Sequence, residues 1–330
     1  MQNTIQEFVS SVLPAKRKKA PNGWVTFNCP ICHDKRSRGG FLLGSSGECS
    51  YHCFNCNHKA YYKPGYTLNF KFRKVLSSLG VADNEIRRLV LDAIRVKSVV
   101  APDAIVEVQE KEEASFNPRP LPDEAQPFIS LAEFYALANK PFPEEFNECV
   151  KVAYDRKVNL QEYEFYWSSD NKHKHRLIIP FYWKDKIVGY SANAIDGQKP
   201  KYINFVDTGY VFNVNKQQPQ WRFVIVTEGI FDAMCIDGVA VLHNEVSEQQ
   251  ADIIDGLGKQ VIVVPDWDEA GTKLIDEALK YNWDVSFPVW KETCKDINEA
   301  VIKYGKLFVM KTILDSVETS KLKIELRKKM

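Results

Sequence analysis

The sequence predicts a mixed α/β protein: a small cysteine-rich β module, then a linker, then a larger body built on a parallel sheet. Three features carry this. Two cysteine pairs stand near the N-terminus, a proline-rich charged stretch fills 97–127, and a strand–acid–glycine–helix pattern occurs twice after residue 222.

The chain has 330 residues, enough for two or three domains. Apolar residues make up 45% and charged residues 26%, the balance of an ordinary globular protein. The longest apolar runs, such as 261–264, are too short to span a bilayer, so no membrane partner is expected. Residues 1–14 lack a basic start followed by an apolar run, which excludes a secretory signal. A cytoplasmic location is therefore expected. Clustered thiols there serve more often as metal ligands than as disulfides.

The formal net charge of +1 hides an asymmetry. Residues 1–74 hold twelve Lys/Arg against three Asp/Glu, and the rest holds thirty-two against forty. A basic module on an acidic body suggests a polyanion partner, although a solvated surface explains the count equally well.

Residues 1–14 read as a short amphipathic helix, with Ile5, Phe8, Val9 and Val12 at helical spacing. Short β pieces and cysteine pairs follow over 24–59, then a helical stretch over 70–96. Mixed charge at 107–113 and five prolines, at 102, 118, 120, 122 and 127, mark 97–127 as a flexible linker. Beyond it, helices are expected near 129–139 and 144–152, and strands at 176–182, 187–193 and 223–226. Alternating helices and strands follow: helix 230–237, strand 239–242, helix 247–256, strand 260–264, helix 271–281 and strand 285–287. Such alternation means βαβ units and a largely parallel sheet. The expected domains are 1–96, a linker 97–127, a basic part 128–221 and a catalytic part 222–330 with a short helical tail.

Cys29 and Cys32, then Cys53 and Cys56 after a twenty-residue interval, have the spacing of a four-thiolate zinc site. Each tight knuckle presents two sulfurs to one ion, and four protein ligands leave no open position, so the zinc is structural. It supplies folding free energy that so small a module lacks. Cys49 and His52 stand as substitute ligands, with His33 and His58 as more distant ones; Cys149, Cys235 and Cys294 read as small buried hydrophobes. Lys35, Arg36, Arg38, Lys59 and Lys63 interleave with Tyr51, Phe54, Tyr61 and Tyr62, a mixture suited to single-stranded nucleic acid. Phe54 fits a miniature ribbon core better than a surface.

Glu228 ends one apolar strand, with Gly229 at the turn; Asp266 and Asp268 end another, with Gly271 behind them. Strand ends in a parallel sheet share one ligand-binding edge. Three carboxylates together call for a divalent cation, and oxygen donors favour Mg²⁺ or Mn²⁺. Such ions serve phosphoryl transfer. Helix capping is the other reading of each acid.

Two stretches, Thr227-Glu228-Gly229-Ile230-Phe231-Asp232 and Asp266-Trp267-Asp268-Glu269-Ala270-Gly271, resemble the two signature motifs of the TOPRIM domain. Bacterial-type primases, type IA and II topoisomerases and some nucleases share that domain. The stretches beginning at His175-Arg176, Ile187, Lys199-Pro200-Lys201 and Tyr210 resemble the primase segment ahead of it, and Tyr51-His52-Cys53-Phe54-Asn55-Cys56 resembles the primase zinc ribbon. The resemblance covers 24–74 and 170–300 in order and is similar to the arrangement of a T-even-type phage primase.

It implies a zinc ribbon, a linker and a primase RNA-polymerase core with a TOPRIM subdomain. The activity implied is RNA primer synthesis from ribonucleoside triphosphates on single-stranded DNA for lagging-strand replication. Glu228, Asp266 and Asp268 match the metal-binding acids, and Asp232 and Asp296 match further acids of the site. Arg176 and Lys201 match basic positions facing nucleotide or template phosphates. The His33-Asp34-Lys35-Arg36 run is not a close match to the family pattern. No Gly-x-x-x-x-Gly-Lys-Ser/Thr phosphate loop occurs, so the helicase partner is expected as a separate chain. The alternatives are a TOPRIM nuclease and a non-catalytic recombination mediator with a cysteine module.

Overall fold

The computed structural model describes residues 4–100, 114–243, 245–290 and 294–328. An N-terminal helix, α1 (Thr4–Val12), leads into a small antiparallel sheet. Its strands, β1 (Lys18–Lys19), β2 (Trp24–Phe27), β3 (Gly39–Leu43), β4 (Cys49–Cys53) and β5 (Lys59–Tyr62), lie in sequence order. Alternation on β4 turns Cys49, Tyr51 and Cys53 inward. Tyr51 packs with Phe27 and Phe41, and Phe41 with Phe72, at the centre of this module. Two helices follow, α2 (Phe70–Ser78) and α3 (Asp83–Val100). The single helical stretch expected over 70–96 is broken because Gly80 adopts φ +89, a left-handed conformation that ends the first helix.

A second sheet is built from β6 (Gln126–Pro127), β7 (Tyr166–Trp167), β8 (Arg176–Trp183), β9 (Lys186–Ala194) and β10 (Tyr202–Val206), flanked by α4 (Phe128–Leu137) and α5 (Glu144–Asp155). It is antiparallel throughout, so parallel pairing does not extend to this half of the body. Hairpin-like repetition of short strands, rather than strand–helix alternation, is the pattern here. Gly189 lets β10 approach: a Cβ there would stand 2.2 Å from the Phe205 carbonyl oxygen.

The third sheet contains β11 (Phe223–Thr227), β12 (Val239–Ala240), β13 (Gln260–Val263), β14 (Asp284–Ser286) and β15 (Val317–Glu318), in the order β12-β11-β13-β14-β15. The four first strands are parallel and β15 is antiparallel at the edge. Its helices are α6 (Ile230–Ile236), α7 (Glu248–Gly256), α8 (Glu269–Lys280), α9 (Ile297–Tyr304), α10 (Lys306–Asp315) and α11 (Lys321–Lys328). One apolar cluster joins the second sheet to α6, α9 and α10, and another lies between the third sheet, α7 and α8.

Of the expected linker, 97–127, residues 101–113 lie outside the described residues. Residues 97–100 belong to α3. Residues 114–127 pack against the body: Phe116 meets Trp183 and Tyr210 at 4.9 and 5.5 Å, and Arg119 pairs with Asp207. Prolines there shape an extended, packed segment rather than a loose one.

The N-terminal module is also fastened to the third sheet. Asp255, at the end of α7, accepts from the Phe70 amide at 2.6 Å, Arg73 at 2.7 Å and the Trp283 indole at 2.9 Å. Phe70 sits in that sheet's own apolar cluster, against Tyr281. Lys71–Asp252 and Arg87–Asp284 flank the buried pair.

Candidate active site and metal centre

The sulfurs of Cys29, Cys32, Cys53 and Cys56 lie within 4.8 Å of one another. Cys29 follows β2, Cys53 ends β4, and the β3 strand between them folds the two knuckles together. Donors already point at the sulfurs: Tyr51 Oη at 3.1 Å from Cys29, the Asn55 amide at 3.4 Å from Cys53, and Asn55 Nδ2 at 3.4 Å from Cys32. Such bonds stabilise thiolates. A four-thiolate, closed set of this spacing fits one structural Zn²⁺.

The competing ligands lie elsewhere. Cys49 is buried in β4, and burial pushes its thiol up to about 12. His52 contacts Asn57 and the Phe54 ring, and His58 contacts the Lys71 carbonyl. Phe54 itself is 68% exposed, contrary to the expectation of a core role. It follows the inward-facing Cys53, so alternation turns it outward.

The acids gather at the carboxyl edge of the third sheet. Parallel β11 and β13 pair Val226 with Val263, so the chain segments bearing Glu228 and Asp266 leave the sheet side by side. Gly271 permits the second turn, since a Cβ there would stand 2.1 Å from the Asp266 carbonyl oxygen. Glu228 Oε2 is buried with no hydrogen-bond partner. Burial, then Asp268, raises the Glu228 carboxyl above its usual range. Burial, then Glu228, Asp296 and Asp268, pushes Asp266 up to about 7. Burial, then Asp296 and Asp266, pushes Asp232 up to about 8, against the pull of the Asn298 amide at 2.8 Å.

Asp268 performs the capping role as well. Its Oδ1 accepts from the Gly271 amide at 3.0 Å at the start of α8, and Asp296 caps α9 in the same way. Among the described residues, only the cysteines form a group of three or more ligand-type side chains close enough to share an ion; the carboxylates stand further apart. A buried, orphaned carboxylate oxygen among oxygen donors with raised pKa values fits a divalent cation such as Mg²⁺.

Arg176 is 2% exposed, and its Nη1 donates to the carbonyls of Ala192 and Pro200. It therefore lies beneath the loop carrying Lys201, because residues 176–181 of β8 are buried on both faces. Lys201 is exposed, with Nζ 5.0 Å from the centre of the Tyr202 ring. Three neighbours of the acids escaped the sequence reading. His243 acts electrostatically on Glu228, Lys295 on Asp266, and the Asn298 amide binds Asp232. Lys295 and Asn298 flank Asp296 in sequence, which is the one signal available; His243 has none.

No family model matches the chain. In sequence it is similar to the DNA primase of Thermotoga maritima, 26% identical over 200 residues that span 53% of this chain and 35% of that one. It is likewise 25% identical to the DNA primase of Clostridium acetobutylicum over 166 residues, 44% of this chain and 28% of the relative. The chain thus spans about a third of the length of the curated relatives it matches. Solved structures with a partial likeness include the Aquifex aeolicus primase zinc-binding and RNA polymerase domains, at 18% identity and TM-score 0.38 over 94% of this chain and 83% of that one. The primase fragment of the bacteriophage T7 primase-helicase gives 15% identity and TM-score 0.39 over 87% and 98%.

Proposed function

We propose that this chain is a DNA primase, which joins ribonucleotides on a single-stranded DNA template by metal-dependent nucleotidyl transfer. The buried, partnerless Glu228 Oε2, set among Asp266, Asp268 and Asp296 at a parallel-sheet edge, carries the reading. The similarity to bacterial DNA primases supports it. When bound, Mg²⁺ would neutralise triphosphate charge as a 3′-hydroxyl attacks.

Glu228, Asp266 and the second oxygen of Asp268 would hold that ion. Lys201 would meet template or nucleotide phosphate from its exposed loop, and Arg176 would keep that loop in place. Asp232, a protonated carboxyl at neutral pH, would support the site from below. The cysteine module would hold zinc and present its basic and aromatic surface to the template. Primer synthesis for the lagging strand, ribonucleoside triphosphates as substrates, a separate replicative helicase, a T-even-type arrangement and a cytoplasmic setting complete the proposal.

Incubation with labelled ribonucleoside triphosphates, single-stranded DNA and Mg²⁺ tests it. Metal-dependent, template-dependent RNA products are expected. Cutting of labelled DNA without nucleotides, with no RNA made, would establish the nuclease reading instead.

A further inference from the structure

A cavity, unrelated to the acids, opens between the N-terminal module and the C-terminal helix. Its volume is about 710 Å³, and α3 and the turn into α11 form its walls. Thr319 leaves β15 where β14 begins, as the pairing of Val285 with Glu318 shows. Arg87, also on the wall, approaches Asp284 at that same point. The cavity therefore lies at the amino edge of the third sheet, opposite the carboxylates.

The lining combines four cations, Arg87, Arg88, Arg95 and Lys321, with two acids, Asp83 and Asp92, and with exposed leucines. Arg88 and Lys321 form no ion pair among the described residues, whereas Arg95 lies 3.5 Å from Asp92. Arg87 reaches Asp284 only at 3.7 Å, and its Nε is buried without a partner. Leu91 is 42% exposed and Leu322 is 70% exposed; Leu326, one turn further along α11, is 58% exposed. Helical spacing puts Arg87, Leu91 and Arg95 on one side of α3. No aromatic residue lines the cavity, so it offers no platform for a nucleobase.

Unpaired cations beside exposed leucines complement acidic groups beside apolar side chains. We propose that this groove docks an acidic, leucine-bearing peptide segment of a protein partner. A ligand there would contact both α3 and α11, so it would clamp the N-terminal module to the α/β body. It would leave the carboxylate edge open. The proposal stands independently of the polymerase reading.

Fluorescence anisotropy with the full chain and a fluorescein-labelled peptide of repeating Asp-Glu-Leu tests it. Saturable binding is expected, weakened about tenfold or more by the double variant Arg88→Glu, Lys321→Glu. Leu322→Ser should weaken binding with the charges intact, and a repeating Asp-Glu-Ser peptide should bind worse than the leucine peptide. Circular dichroism should show all variants folded, and ribonucleotide incorporation should be unchanged by them. Absence of binding, equal binding of the serine peptide, or equal competition by oligothymidylate would overturn the proposal.

Discussion

Glu228 is the residue on which the chemistry turns. A carboxylate oxygen removed from water with no hydrogen bond is costly, and such an atom is retained where a ligand satisfies it. Glu228→Gln removes the charge at nearly constant shape, and should lower ribonucleotide incorporation about a hundredfold or more with little change in DNA binding. Gel-shift and incorporation assays on the same preparation would check this. Asp266 adds a pH dependence. Because its carboxyl is pushed up to about 7, protons compete with the cation below that pH. Mg²⁺ affinity should fall as pH drops from about 8 to about 6, and higher Mg²⁺ should restore activity.

Asp232 carries a different sign. Its folded pKa, up to about 8, lies above the ordinary value of 3.8, so the folded state holds a proton that the unfolded state loses. Stability should therefore fall between about pH 4 and pH 8, by up to about 1.4 kcal/mol per pH unit. Asp232→Asn should flatten that slope in urea unfolding curves measured without added Mg²⁺.

At the scale of elements, the cysteine knuckles and the strand ends behave differently. The ribbon's core is small, with Phe27, Phe41, Tyr51 and Phe72 at its centre, and metal ligation substitutes for missing apolar burial. Cys53→Ser, or zinc removal by a chelator, should melt the module while the third sheet persists. Limited proteolysis would show cleavage confined to the N-terminal part. The ligand set was legible in sequence because knuckle spacing alone determines it. The carboxylate edge was legible because apolar strands, acids and turn glycines recur in one order. The burial of Arg176 was not legible, because sequence reports a cation and not its depth; in β8 it is buried and its Nη1 donates to two carbonyls. Phe54 was misplaced because it follows the inward-facing Cys53, and alternation turns it to solvent. The strand β10 was missed because its pairing with β9 depends on Gly189, whose close approach no local pattern announces.

At the scale of the molecule, the N-terminal module is anchored and not merely tethered. Arg73 and Asp255 form a buried pair, and Phe70, Tyr281 and Trp283 make further hydrogen bonds to it. Removing one partner leaves a buried charge alone, at a cost of about 3–5 kcal/mol. Asp255→Ala should loosen α2 and α3 from the body, and hydrogen exchange there should accelerate. Unchanged exchange would show that the pair does not fasten the module. Sequence could not reveal this contact, since its partners lie 182 residues apart. Cation binding by the carboxylates at one sheet edge is the property on which the proposed chemistry depends. Electron paramagnetic resonance of Mn²⁺ added to the protein with a ribonucleoside triphosphate measures this directly. Tight Mn²⁺ binding is expected, weakened by Glu228→Gln and by Asp266→Asn. Equal binding by both variants and the unaltered protein would contradict it.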